Sequence, residues 1–394
     1  MSRATLRCRV CERSRPLGPL SECPVCHEPL DIAYEVADGS TGNGHGPRSM
    51  WRYADLLPHA PRDDATPGLT PLVPAPRLSE QLGVDLRLKM EDANPTHSFK
   101  DRLAATAVEA AVAFGFQTVC CASTGNLGEA VAARAAATGL EAVVLCPVDD
   151  LPLVPVSTYG ARLLGIDGSF DDCRALEREL HAFFPWGFVG GNLHSHAVEG
   201  AKTIAYEIVE QSGGELPDAV VAPVASGTLL AKLAQGFDEA AVFGPAVGSR
   251  PRIYGAQAGG CPPLAAAFAD DRPRSRVRPA TEVRSLAIGD PAYGDLAVGA
   301  ARMSGGSILA VSEEQIAPRT AYLAETTGVL ADSASGVAMG ALLELVASGA
   351  IAQGERVVLV VTGSGLKPYG HEPEPRFSEI DSDVDAVLAA LGVD

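Results

Sequence analysis

Short apolar runs alternate along most of the chain with longer segments whose apolar positions recur every three to four residues. The short runs are LRLKM (86–90), QTVCCA (117–122), EAVVLCP (141–147), DAVVAPVA (218–225), RIYGAQA (252–258) and RVVLVVTG (356–363). LRLKM alternates like a half-buried strand. The continuously apolar runs predict strands covered on both faces. The longer segments predict a helix over 99–114 stopped at Gly115, a second over LGEAVAARAAATG ending at Gly139, and others over DDCRALERELHAFF, LLAKLAQGF, 313–327 and 335–347. Ser98 can cap the first of these. Strands alternating with helices define an α/β fold of open, mostly parallel sheets with helices on both faces. Ligands in such folds gather where strands end and loops turn into helices.

The N-terminal segment breaks this pattern. It reads CRVCERSRPLGPLSECPVC, with Cys8 and Cys11 in one C-x2-C pair and Cys23 and Cys26 in another. Two tight pairs joined by a Pro/Gly loop place four thiolates around a structural Zn²⁺, and few apolar residues lie nearby to form a core without one. Residues 1–35 are therefore expected to be a zinc ribbon, with His27 a neighbour of the metal rather than a ligand. The Gly-rich DGSTGNGHGPRS (38–49) marks residues 36–65 as a linker.

Composition narrows the function. A chain of 394 residues exceeds one ordinary core, and its formal net charge of −18 disfavours a nucleic-acid partner. Five arginines within residues 1–30 do not reverse this, because no aromatic residues interleave them. No run of 18 apolar residues predicts a membrane span. The basic start MSRATLRCRV lacks the apolar region of a secretory signal, so the expected location is cytoplasmic, with the nine cysteines reduced.

Three strand-to-helix loops carry small polar residues and glycine: STGN (123–126), ASGT (225–228) and TGSG (362–365). A helix N-terminus offers free N–H groups and partial positive charge, which suits a phosphate. Neither GxGxxG nor GxxxxGK[ST] is present, which argues against a nucleotide enzyme. Lys100 follows an Asn-Pro turn and opens a helix of small apolar residues. Beside Asp101 and Arg102 it could belong to a solvated charge cluster. Alternatively, partial desolvation near a second cation would lower its pKa and make it a nucleophile toward carbonyls. A lysine and a phosphate-cradling loop together point to pyridoxal phosphate (PLP) held as a Schiff base.

The segment NPTHSFKDR resembles the cofactor-lysine motif of fold-type II PLP enzymes, specifically the threonine synthase family. CASTGNLGEAVAARAAATGL, YGARLLGIDGSFDDCRALE, EGAKT (199–203), YGAQAGGCPPLAAAF, SLAIGDP and VTGSGLK follow in the family's order, so the resemblance spans roughly residues 66–370. It implies that Lys100 binds PLP covalently and shuttles protons, and that Asn126 bonds the ring hydroxyl. Ala225, Ser226, Gly227, Thr228 and Leu229 would hold the cofactor phosphate. Thr362 would face the pyridine nitrogen. A hydroxyl there, unlike an aspartate, does not force that nitrogen to stay protonated. Ser98, Ser123 and Thr124 would meet the substrate. The implied architecture is a large PLP domain (66–104 and 196–394) with a smaller, mobile α/β domain (105–195) that closes over substrate. The implied partners are a small amino-acid substrate and a second copy of the chain in a homodimer.

The implied reaction converts O-phospho-L-homoserine and water to L-threonine and phosphate. Three departures bear on the substrate. His97 stands where the usual motif has a small residue, and Leu127 where many members have a hydroxyl. The segment GGNLHSHAVEGAKT lacks the arginine that usually grips the substrate phosphate. Arginine supplies a bidentate pair that neutral histidine cannot, so protonated His97, His194 or His196 would have to substitute. A paralogue acting on another activated amino acid, such as O-phosphoserine, remains open. So does a non-catalytic zinc-ribbon binding protein.

Overall fold

The computed structural model describes residues 3–35, 46–61, 67–153, 155–244, 246–271, 273–367 and 377–393. Along the chain the strands are β1 (Arg3–Cys8), β2 (Ser14–Pro16), β3 (Leu30–Glu35), β4 (Leu72–Pro74), β5 (Asp85–Met90), β6 (Thr118–Ala122), β7 (Glu141–Pro147), β8 (Arg162–Ile166), β9 (Gly187–Phe188), β10 (Ala219–Pro223), β11 (Arg252–Ala258), β12 (Ile308–Val311), β13 (Arg356–Val361) and β14 (Phe377–Ile380). The chain divides into two compact units. The first is Met1–Pro67, Lys100–Gly200 and Pro368–Asp394; the second is Gly68–Phe99 and Ala201–Lys367. Among the described residues, no helix is long and apolar enough to cross a membrane.

The first unit holds the ribbon, an antiparallel sheet in the order β2-β1-β3, and a five-stranded parallel sheet in the order β14-β8-β7-β6-β9. The parallel sheet is apolar on both faces because its side chains alternate. Val119, Cys121 and Val144 face a core built with Ala104, Ala107 and Ala111 of the helix Lys100–Ala113 and Val131 and Ala135 of the helix Asn126–Thr138. Cys120, Ala122, Val143 and Leu145 face the other way, onto Cys173, Leu176 and Leu180 of the helix Phe170–Leu180. Small alanines on the first side let two helices lie close to each other and to the sheet.

The ends of the chain complete this unit. The ribbon is tied to the segment 194–199: Ser195 Oγ donates to Leu30 O (2.6 Å), Tyr34 OH donates to Glu199 Oε2 (2.8 Å), and His196 Nε2 lies 2.9 Å from Gly18 O. At the other end, β14 pairs with the edge of β8, and Val387 of the helix Val384–Leu391 joins the core behind it. Residues 377–393, expected with the larger domain, thus lie with the smaller sheet, whose edge strand they cover. Of the linker expected over 36–65, residues 36–45 and 62–65 lie outside the described residues. The part between contains a 3₁₀ helix, Met50–Leu56, whose Met50 and Trp51 pack with Leu57 against Ala105.

The second unit is built on a six-stranded sheet in the order β12-β11-β10-β13-β5-β4, parallel except that β4 runs antiparallel to β5. The helix Ser333–Ala347 is buried along most of its length and packs Val337, Met339 and Leu342 into a core with Leu88, Val221, Ala256 and Leu359. Lys89, in the alternating run read as half-exposed, is fully buried. It donates to Glu207 Oε2 (2.6 Å) and Thr70 O (2.7 Å). Glu207 in turn accepts from the N–H groups of Leu69 (2.7 Å) and Thr70 (3.2 Å), so neither buried charge lacks partners.

Candidate active site

In the second unit three extended segments lie side by side. Residues 362–365 run between 97–99 and 330–332. On one side Phe99 N–H donates to Thr362 O (3.1 Å) and Ser364 N–H to His97 O (3.1 Å); on the other, Asp332 N–H donates to Gly363 O (2.9 Å) and Gly365 N–H to Leu330 O (2.9 Å). The TGSG loop is therefore a short strand extension, not a turn into a helix. The segment before it is braced in turn. Thr70 Oγ1 donates to Glu91 Oε1 (2.6 Å), Asn94 Nδ2 to Glu91 Oε2 (2.9 Å), and Gly68 N–H to Asn94 Oδ1 (3.0 Å).

His97 has φ +60°, a left-handed backbone that disfavours a side chain, which explains why a small residue suits this place. The ring is exposed and its Nδ1 lies 3.1 Å from Asp92 O. Ser98 is fully buried, yet its hydroxyl has no hydrogen-bond partner among the described residues. A buried hydroxyl with no partner is costly, and a ligand or an ordered water would satisfy it.

Lys100 is the residue after Phe99 and opens the helix Lys100–Ala113 of the first unit. Burial lowers its pKa to about 8. The solvated charge cluster left open by the sequence is not what forms: Arg102 is 0% exposed and Asp101 only 7%. Thr106 Oγ1 donates to Ala197 O (2.7 Å), fastening the helix to the start of the EGAKT segment.

The ASGT loop follows β10 in the second unit. Gly227 has φ +86°, and a Cβ there would sit 2.6 Å from Tyr293 O, so only glycine fits. Tyr293 N–H donates to Ser226 O (2.8 Å), which holds the loop open. The helix Thr228–Phe243 begins with no side chain capping its first turn. Ser226 Oγ and Thr228 Oγ1 lie 3.0 Å apart at that end. Free N–H groups, two hydroxyls and a positive helix end form the donor set that a phosphate requires.

The STGN loop of the first unit differs. Ser123 is buried, and its Oγ accepts from Gly125 N–H (3.1 Å) and Gly128 N–H (2.8 Å). The Ser123 hydroxyl, expected to meet substrate, is occupied in shaping its own loop. Thr124, Asn126 and Leu127 remain half-exposed. Glu177, which sequence reasoning missed, accepts from Ala122 N–H (3.1 Å) and Gly190 N–H (2.7 Å), joining the start of this loop to the Gly-Gly segment. Burial raises its pKa.

The histidines separate likewise. His196 is fully buried, with Nε2 on Gly18 O and Nδ1 3.1 Å from His59 Nε2. Both ring nitrogens are engaged, so His196 is withdrawn as a phosphate donor. His194, half-buried, and His97 keep that candidacy. Asp332, also missed, stands behind Thr362, with each carboxylate oxygen 3.4 Å from Thr362 Oγ1. Its only trace in the sequence is an N-cap signature, Asp before SAS and an apolar run.

In the ribbon, the Sγ atoms of Cys8, Cys11, Cys23 and Cys26 lie within 4.8 Å of one another. Zn–S bonds of about 2.3 Å in a tetrahedron place sulfurs about 3.8 Å apart, so the four thiols could chelate such an ion. Backbone N–H groups of Cys26 and Val25 lower the Cys23 pKa to about 6, while the neighbouring thiols push Cys26 up to about 12, so metal binding would have to release protons from the cluster.

Two open, mostly parallel α/β sheets are the architecture typical of fold-type II PLP enzymes. Residues 64–363 match the family model described as "Pyridoxal-phosphate dependent enzyme", and the chain belongs to that family. Within it the chain is closely related to threonine synthase and is a PLP-dependent lyase. It is 37% identical over 351 residues to the threonine synthase of Mycobacterium leprae, covering 86% of this chain and 95% of that protein. It is 34% identical over 387 residues to that of Methanosarcina acetivorans, covering 94% of each. The fold is also similar to maize serine racemase, with a TM-score of 0.64 at 20% identity, over 77% of this chain and 91% of that one.

Proposed function

We propose that this enzyme is a threonine synthase, converting O-phospho-L-homoserine and water to L-threonine and phosphate. The observation that carries the reading is the 37% identity over 351 residues to a threonine synthase, and Lys100 supports it, its pKa lowered by burial and its neighbour Phe99 donating its N–H to Thr362 O. Lowering that pKa raises the fraction of neutral amine near neutral pH above that of an ordinary lysine, which suits attack on an aldehyde. PLP, when bound, supplies the electron sink that labilises protons on the amino acid. Ala225 to Leu229 hold its phosphate, Asn126 bonds its ring hydroxyl, and Thr362 faces its ring nitrogen. The Lys100 amine takes and returns protons beside the amino carbon. The unpartnered hydroxyl of Ser98 and the half-exposed Thr124 meet the substrate; Ser123 orients that loop. Cys8, Cys11, Cys23 and Cys26 hold a structural zinc, and elemental analysis is expected to find about one per chain.

A related activated amino acid is the second reading. It is favoured by the absence of arginine from residues 190–196 and by the engagement of His196 within the fold. The test presents O-phospho-L-homoserine and O-phospho-L-serine separately to the purified enzyme. Phosphate release with threonine formation from the first supports threonine synthase. Turnover of the second alone supports the other reading. Lys100→Ala is expected to lose the borohydride-sensitive visible absorbance and about 10³-fold or more in rate. Loading of the cofactor-free protein with PLP should quicken as pH rises through about 8, because the amine must be neutral to react.

A further inference from the structure

A threonine facing a ring nitrogen can either donate its proton or offer a lone pair, and the two choices give different chemistry. The sequence alone leaves this open, and the structure places three acceptors on one side of the Thr362 hydroxyl. Asp332 Oδ1 and Oδ2 each lie 3.4 Å from Thr362 Oγ1, and Ser335 Oγ lies 3.5 Å away. Ser335 is fully buried and already committed. Its Oγ donates to Asp332 Oδ1 (2.6 Å) and accepts from Thr362 N–H (3.0 Å). With that proton given away, Ser335 cannot donate to the Thr362 hydroxyl, and the Asp332 carboxylate, charged when ionised and slightly nearer, is the stronger acceptor for it.

Asp332 is held in place for this. Its Oδ1 caps the helix Ser333–Ala347 by accepting from Ser335 N–H (2.9 Å), and its own N–H donates to Gly363 O (2.9 Å). A Cβ on Gly363 would lie 2.7 Å from Asp332 Oδ2, so glycine at 363 is what lets the carboxylate reach past the backbone to Thr362. Burial raises the Asp332 pKa, with the nearby Asp92 charge acting the same way, and the hydrogen bonds from Ser335 and Thr362 offset this only in part.

Resting on the reading that Thr362 faces the ring nitrogen, we infer that Asp332 is a positioning residue. It accepts a hydrogen bond from the Thr362 hydroxyl, whose proton stays on Thr362, so that Thr362 would turn a lone pair toward that nitrogen and favour its protonated form. A carboxylate relayed through one hydroxyl then does at a distance what a direct aspartate does in contact. The enzyme keeps a protonated ring, and a stronger electron sink than an isolated threonine would give.

The test uses the holoenzyme carrying PLP labelled with ¹⁵N in the ring. The wild-type resonance is expected near the protonated pyridine position. Asp332→Asn keeps a good helix cap but turns an amide donor on Thr362. The Thr362 proton is then driven toward the ring, and the resonance should move downfield to the neutral pyridine position. Asp332→Ser, which also caps, should move it the same way and serves if the asparagine variant does not hold the coenzyme. Thr362→Val is the control on the underlying reading. If Thr362→Val leaves the resonance unmoved, Thr362 is not the ring partner and the reading fails. If Thr362→Val moves it and neither Asp332 variant does, or if the wild type already shows the neutral position, the inference about Asp332 is overturned.

Discussion

The STGN and ASGT loops look alike in the sequence, since each follows an apolar strand and opens a helix with small polar residues. In the structure they are opposites. Ser123 folds back onto its own helix and takes the N–H groups of Gly125 and Gly128. Both helices have glycine at the N-cap and no cap from that residue, but the Ser226 hydroxyl pairs with Thr228 instead of taking first-turn N–H groups. One helix start is closed by its own chain and the other is left for an anion. A glycine-bearing helix entry is therefore a phosphate site only where nothing within the chain has already taken its donors.

The sharpest way to break this contrast is at the glycines. Gly227→Ala puts a Cβ 2.6 Å from a backbone carbonyl, at a residue with φ +86°. It is expected to lower stability by about 2–4 kcal/mol and to abolish phosphate-dependent cofactor retention. Gly128→Ala meets only side chains, Val144 Cγ1 at 2.8 Å and Ser123 Cβ at 3.0 Å, which can shift. Its cost should be smaller, about 1–2 kcal/mol, with cofactor retention preserved. Denaturant melts with PLP titrations on both variants check this, and equal losses of retention would erase the distinction between the loops.

Much of the frame was legible because local rules agree with it. The bounds predicted for β7, for β11 and for the helix Glu313–Thr327 are those observed, and Gly115 and Gly139 end their helices in left-handed conformations. The missed elements lack local signals. The helix Thr203–Gln211 starts from Lys202 without a capping side chain, and Gly294–Met303 contains two glycines that argue against a helix. The site was legible in its motifs but not in its partners. Lys89 finds Glu207, His196 finds Gly18 and His59, and Glu177 finds Ala122, each across a separation that no periodicity reports. Of the side chains assigned to substrate by motif, His196 is drawn away by such long-range bonds and Ser123 by local ones to Gly125 and Gly128.

The next test is at the open loop. Ser226→Ala removes one of two hydroxyls from an otherwise uncapped helix start and leaves Gly227 and its packing intact. A hydrogen bond to a charged phosphate contributes about 1.5–3 kcal/mol, so PLP affinity should fall about tenfold or more. The melting of the cofactor-free protein should hardly change. A change in melting without a change in affinity would mean that the hydroxyl serves the fold.

Ser123→Ala should give the reverse pattern with the smallest effect. The hydroxyl acts here as an N-cap supplied from five residues before Gly128, and its loss leaves that N–H without an acceptor at a buried helix start. Removal of such a cap costs about 1 kcal/mol, to be read as a shift in the denaturant midpoint at unchanged slope. PLP affinity should stay within about threefold, because the phosphate donors lie in the other loop. The alanine cannot add a clash, since it is smaller than serine, so any larger effect would have to come from lost bonds. If affinity falls tenfold while the midpoint holds, Ser123 is serving a ligand rather than its own helix, and the two loops are alike after all.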